Sequence, residues 1–495
     1  MINWRTLREI LVWCLPALVC GALVRALLLA HFPYGYVHPD SPDFLVTADR
    51  FLNHHHFVIH GKKAFLGPVL FLLPLLLKIP DLLIVPWAQH FFGLIQVVMA
   101  GALIRFWTVR WKVWIIPATL LIALNPAGLY YEHALIAEAQ YLWCIIALSL
   151  AGTAYTIERT RGRFILLLLT LLLTAGSRPE GKLYVLFCLI LIPLLHWGAW
   201  RKLAVLGGIT LAFCIFTWMS TRNTQAGVLL YATLLPLSPD IPKSAPDFAP
   251  VIAPIRNERV AKGALAVPDL VIEEKRINAI VYPYLAARNG SDEDDRRQDA
   301  GRFCQRLSVE AALHKPLLLP LLALDKFLLA TNLPANDGFG QAWLQAMQIE
   351  SCTYKPWMLE LMPRLTGRSI GSRDALVDYI HTEFPPMRPD WFAGLQRAWF
   401  LATTGARIPC PSLPVPGIPL FYLLAAAGMV AGVLHSGSVQ KVHIAWVITL
   451  GFTASVVMLT GVVNPRYRFV FEPFALLYLF VLMDSVLSTI RDHEK

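Results

Sequence analysis

Apolar runs of bilayer-spanning length recur along the chain, and they constrain the fold more than any other feature. A helix needs roughly 20 apolar residues to cross the hydrocarbon, and inside it every backbone polar group must be satisfied by the segment itself. The runs at 11–30, 87–104, 113–130, 135–157, 164–176, 183–197, 203–220, 413–434, 443–463 and 469–488 read as ten transmembrane helices. Composition agrees: 56% of the 495 residues are hydrophobic and only 15% are charged, against about 25% charged in an ordinary soluble domain. The expected fold is an all-α polytopic membrane protein. The first run follows Arg5 and Arg8 and is met by His31, Phe32, Pro33 and Tyr34 rather than by a small-residue cleavage site. It reads as an uncleaved span.

The formal net charge is +10. The basic residues sit in short loops between apolar runs, with no basic stripe interleaved with aromatics, so the charge reads as positive-inside bias and not as a nucleic-acid surface. Arg5 and Arg8, then Arg105, Arg110 and Lys112, then Arg159, Arg161 and Arg163, then Arg201 and Lys202, then Lys441, then Arg491 and Lys495 all fall on one side if both termini are cytoplasmic. That requires residues 65–85 not to cross. The stretch carries Pro68, Pro74 and Pro80, which interrupt helical bonding, so it is expected to lie on the outer membrane surface. The run 316–330, with Asp325 and Lys326 in its middle, is read the same way. Three regions follow: a transmembrane module at 1–220, outer segments at 221–412 that could pack as a lid, and further spans at 413–495.

Five of the eight cysteines lie in apolar runs and read as small buried hydrophobes. Cys304, Cys352 and Cys410 lie in the outer segments, where two of them are expected to pair in an oxidising space. No CxxC pair or HExxH pattern occurs. His54, His55, His56 and His60 read as an interfacial segment before a metal site.

Charged residues at membrane depth are costly and mark function, and four motifs supply them on the outer side. In HPDSPDFLVTADRFL, Asp40 and Asp43 are three apart, as two residues on one helical face are. Such a pair suits a general base or a divalent cation, and it equally suits a helix cap. In NPAGLYYEHALIAEAQYLW, Glu132, His133 and Glu138 are read at the start of an apolar helix, where the dipole favours acids. In GSRPEGKLYV, Arg178, Glu180 and Lys182 crowd a turn that breaks the inward bias of basic charge. In GVVNPRYRFVFEPF, Arg466 and Arg468 flank Tyr467, a fork of donors that suits a phosphate diester.

In this order and on one side, the motifs resemble those of GT-C fold glycosyltransferases, in the branch of protein mannosyltransferases and the aminoarabinose transferase acting on lipid A. The aspartate after the first span, the NPxxxxYExxLxxE pattern, the TRPEG-like turn and the RY pair before a proline match Asp40, NPAGLYYEHALIAE, SRPEG and RYRFVFEP. The likeness covers the first 220 residues well, the last 80 loosely and 221–412 not at all. Where many members carry KPP or RPP, this chain has KKAFLGP. The resemblance implies GT-C architecture with juxtamembrane helices and an extracytoplasmic lid. It implies a plasma-membrane enzyme moving a sugar, with inversion, from a polyprenyl-phosphate donor to a lipid, glycan or protein acceptor. Asp40 would be the base and Glu138 would orient the acceptor. Asp43, Glu132, His133, Arg178, Glu180, Lys182, Arg466, Tyr467 and Arg468 would bind substrate. Relatives differ in metal dependence, so a divalent cation stays open. The alternatives are a secondary transporter, though no internal repeat is visible, and a non-catalytic subunit of envelope glycan assembly.

Overall fold

The computed structural model describes residues 4–33, 35–36, 41, 44, 84–195, 224–263, 270–289, 293–332, 371–383, 388–409, 417–435, 437–460 and 471–493. These are helices and their connecting turns, with a two-residue antiparallel ladder, β1 (Arg407–Ile408) on β2 (Ile418–Pro419), and an isolated parallel bridge between Tyr36 and Ala134. Among the described residues, five helices are long and apolar enough to cross a membrane: Trp4–His31 (α1), Ile84–Trp107 (α2), Glu138–Ile157 (α5), Gly437–Leu459 and Glu472–Arg491. Two bent pairs pass the same test jointly and raise the number to seven if each is one span. The chain is an all-α, membrane-embedded protein.

Helix α1 shows why. It buries Ile10, Cys14, Ala17, Gly21, Arg25 and Leu28, three or four residues apart. It leaves Leu15, Val19, Leu23 and Leu27 exposed. An apolar face turned outward at this length has lipid as its solvent.

The expected spans at 113–130 and 135–157 are broken differently. Trp111–Ala123 (α3) meets Pro126–His133 (α4) at a 45° bend. Asn125 makes the break: its side chain accepts from the Ala127 and Gly128 amides, and Pro126 opens the new helix. Helix α4 then ends, and Ala134 pairs with Tyr36 before α5 begins at Glu138. Glu132 and His133 therefore close one helix, and Glu138 opens the next, which corrects their expected common placement at one helix start. Arg161–Ser177 (α6) and Val185–Leu195 (α7) follow, joined by a 3₁₀ turn at Pro179–Tyr184.

Thr224–Leu234 (α8), Ala249–Ala261 (α9), Leu270–Asn289 (α10) and Glu293–His314 (α11) enclose a core of their own around Tyr231, Phe248, Ile277 and Phe303. Cys304 is buried and free in that core, so of the three outer cysteines only Cys352 and Cys410 are left for the expected pair. Cys352 and Cys410 lie outside the described residues. Leu318–Asn332 (α12) turns back from α11 by 110°. Its Asp325 and Lys326 are buried, with Lys326 Nζ donating to Thr233 Oγ1 at 3.3 Å. The two charges therefore face the protein, while Leu317, Leu321 and Leu324 of the same run are exposed.

Arg373–Glu383 (α13) and Asp390–Thr404 (α14) precede Leu420–His435 (α15), Gln440–Thr460 (α16) and Glu472–His493 (α17). Residues of α16 and α17 join the same core as α1 to α7. One end of this bundle gathers the basic loops. Trp13 meets Trp111 with ring centroids 6.2 Å apart, Trp107 donates to Thr153 Oγ1, and Arg159 donates to the Leu195 carbonyl. Asp484 of α17 accepts from the Val109 and Arg110 amides and from Trp114 Nε1, so an acid in a span has its oxygens satisfied by the α2–α3 turn. The span expected at 203–220 and the juxtamembrane stretch 65–83 lie outside the described residues.

Candidate functional site

The other end of the bundle holds Glu132 and Glu138. Helix α1 carries Arg25, α2 carries His90, and α4 carries Glu132 and His133; their exposures are 3%, 3%, 5% and 0%. Arg25 grips Glu132 with two bonds, Nε to Oε2 at 2.8 Å and Nη2 to Oε1 at 2.7 Å. Its Nη1 donates to the Gly21 and Ala123 carbonyls. His90 Nδ1 stands 2.8 Å from Glu132 Oε2, and His90 Nε2 stands 2.9 Å from His133 Nδ1. His133 Nε2 donates to the Phe32 carbonyl at 2.7 Å. Gly93 of α2 faces Glu132, and a Cβ there would push the carboxylate off its partners.

The chain of bonds ends on the segment that leaves α1. The Tyr36 amide donates to the His133 carbonyl and the Leu135 amide to the Tyr36 carbonyl, each at 2.9 Å. The Tyr36 ring lies 4.7 Å from that of His133 and 5.5 Å from that of Tyr130. Asp40, four residues beyond Tyr36, and Asp43 lie outside the described residues.

A second cluster forms where α6 ends. Arg178 Nη1 bonds Glu138 Oε1, while Arg178 Nε and Nη2 reach the two oxygens of Glu180 at 3.1 and 3.3 Å. The guanidinium lies over the Tyr141 ring, 5.7 Å from its centroid. The SRPEG sequence makes this turn tight enough: a Cβ on Gly181 would sit 1.9 Å from the Thr174 carbonyl, so the backbone packs on the last turn of α6. Lys182 is half-buried in the same turn. Arg178 thus stands between two carboxylates.

The fourth motif reaches this end through Glu472. Its Oε2 accepts from Asn125 Nδ2 at 3.4 Å and from Trp399 Nε1 of α14 at 3.3 Å. Arg388, just before α14, is buried, donates to Gln396 Oε1 at 2.7 Å, and acts electrostatically on Tyr36 and Tyr130. Arg466, Tyr467 and Arg468 lie outside the described residues, as do the four histidines at 54–60.

Arg25, His90, Arg388 and Trp399 were missed in the sequence. Arg25 had a readable signal, a single cation inside an apolar span. His90 at the head of a span resembles an interfacial residue, and nothing near Arg388 or Trp399 separates them from the surrounding aromatic and basic residues. No family model, no curated protein and no solved structure matches the chain.

Proposed function

We propose that this protein is a GT-C type glycosyltransferase that moves a sugar from a polyprenyl-phosphate donor to an acceptor hydroxyl, with inversion, on the extracytoplasmic side of the plasma membrane. The observation that supports it most is convergence. Residues of the second, third and fourth motifs, together with Tyr36 on the lead to the first, meet at the end of the bundle opposite the basic loops.

On this reading the donor phosphate lies in the outer leaflet and its lipid tail runs along the apolar face. Asp40 takes the proton of the acceptor hydroxyl. The oxygen attacks the anomeric carbon opposite the phosphate, the carbon–phosphate oxygen bond breaks, and polyprenyl phosphate departs. Glu138, fixed by Arg178, orients the acceptor. Arg466 and Arg468, with Tyr467 and Lys182, take the phosphate charge as it develops. Glu180 holds Arg178, and Asp43 lines the acceptor side. Glu132 and His133, whose polar atoms bond Arg25, His90 and the Phe32 carbonyl, act from behind the site. Ten spans and a lid built from 221–412 complete this architecture. The test is to incubate purified protein with a panel of polyprenyl-phosphate sugars and an acceptor extract. Release of polyprenyl phosphate is expected; none from any donor, with folded protein, removes the proposal.

A secondary transporter is the second reading. It is favoured by the buried arginine, glutamate and histidines joined in one chain at membrane depth. Solute uptake by proteoliposomes under a proton gradient, without sugar transfer, would select it.

A further inference from the structure

The bonds joining His90, His133 and Glu132 fix how many protons the chain carries. The Phe32 carbonyl only accepts, so His133 Nε2 bears a hydrogen. The contact of His90 Nε2 with His133 Nδ1 needs one hydrogen, and that of His90 Nδ1 with Glu132 Oε2 needs another. Two neutral imidazoles own two hydrogens, and the three contacts require three. The third makes either one imidazolium beside a carboxylate or two neutral imidazoles beside a carboxylic acid. With Arg25, both forms carry one net positive charge. If the extra proton leaves, Glu132 keeps its demand for a donor from His90 Nδ1. The loss then falls on the far side: two lone pairs meet between His90 and His133, or His133 turns its proton inward and a lone pair meets the Phe32 carbonyl.

We propose that Arg25 and His90 are positioning residues that, through His133, clamp the segment running from Phe32 towards Asp40, and that the clamp is closed only while the chain holds its extra proton. The assignment of a task to that clamp rests on the transferase reading, in which Asp40 is the base. The geometry points to it because the chain's last bond and the Tyr36–Ala134 bridge fall on the same five residues. Arg25 anchors the chain at its other end on two backbone carbonyls of α1 and α3. The charged and titratable groups facing His90 and His133 among the described residues are Arg25 from α1, Glu132 from α4, and Tyr36.

The test is hydrogen exchange of the full-length protein in lipid nanodiscs between about pH 4 and pH 8, corrected for the chemical exchange rate. Peptides covering Phe32–Tyr36 and Leu135 should lose about tenfold in protection on the alkaline side, the worth of one charge-assisted bond, while α5 peptides stay constant. His90→Gln, which cannot hold the extra proton, should show low protection at these peptides at every pH. Protection of the wild type that does not change with pH overturns the proposal, and so does a His90→Gln protein that keeps the wild-type step. If His90→Gln does not fold, the wild-type profile alone decides. Transfer measured in parallel should fall in kcat with the same midpoint and an unchanged KM. Constant kcat across the exchange step would overturn the positioning role. Absence of any transfer, with the exchange step present, would instead count against the transferase reading and leave the proton-held clamp standing.

Discussion

Arg25 and Glu132 show how a charge is tolerated inside an apolar bundle. Each is costly to bury, and the cost is met by two parallel bonds plus backbone carbonyls on the arginine's remaining side. Removing one partner leaves the other buried and uncompensated, at about 3–5 kcal/mol. Arg25→Met and Glu132→Ala should each lower unfolding stability by that amount in a denaturant titration. The pair Arg25→Met with Glu132→Leu should recover part of it, since both charges are removed together while His90 Nδ1 loses its carboxylate partner. A double variant as unstable as the sum of the singles would mean that the ion pair is not what holds α1 to α4.

At the scale of elements, α9 and α10 are joined by charges that water reaches. Arg276 bridges Glu258 at 2.6 Å and Glu273 at 2.9 Å, and Lys262 adds a bond to Glu258 at 2.6 Å. Hydrogen bonds from Arg276 first, then Lys262, push the Glu258 carboxyl from its ordinary 4.5 down to about 2. Its folded value is the lower one, so its contribution is complete above pH 4.5 and is lost as pH falls towards 2. Exchange protection of the α9 and α10 peptides should fall slightly over that window, and Glu258→Gln should flatten the dependence; an equal fall in the variant would place the effect elsewhere. Elements such as these also show what was legible. Span positions follow from runs such as 87–104 because lipid demands them. The break at Asn125 was written in Asn-Pro, a cap followed by a first-turn proline, yet the apolar residues on both sides concealed it. The pairing of Arg25 with Glu132, 107 residues away, depends on how α1 crosses α4. Local spacing carries no record of that. The SRPEG turn was legible as a crowded charge cluster, but its choice of Glu138 as partner was not.

The basic loops gather at one end of the bundle, and the Arg25–Glu132 and Arg178–Glu138 pairs lie at the other. On the proposed reading, the positive-inside rule turns the end that holds these pairs outward. A cysteine replacing exposed Asp240 should react with a membrane-impermeant maleimide in intact cells, while a tag following Lys495 stays protected; the reverse would put every proposed site residue on the wrong face. The proposed sugar transfer has Asp40 as its base. Single-turnover transfer from a labelled polyprenyl-phosphate sugar at saturating donor, comparing the wild type with Asp40→Asn, decides it. Release of polyprenyl phosphate by the wild type is expected, with a loss of about 10²–10⁴-fold in the variant and donor binding retained. Transfer by Asp40→Asn at the wild-type rate, or no transfer by the wild type from any donor, would contradict it.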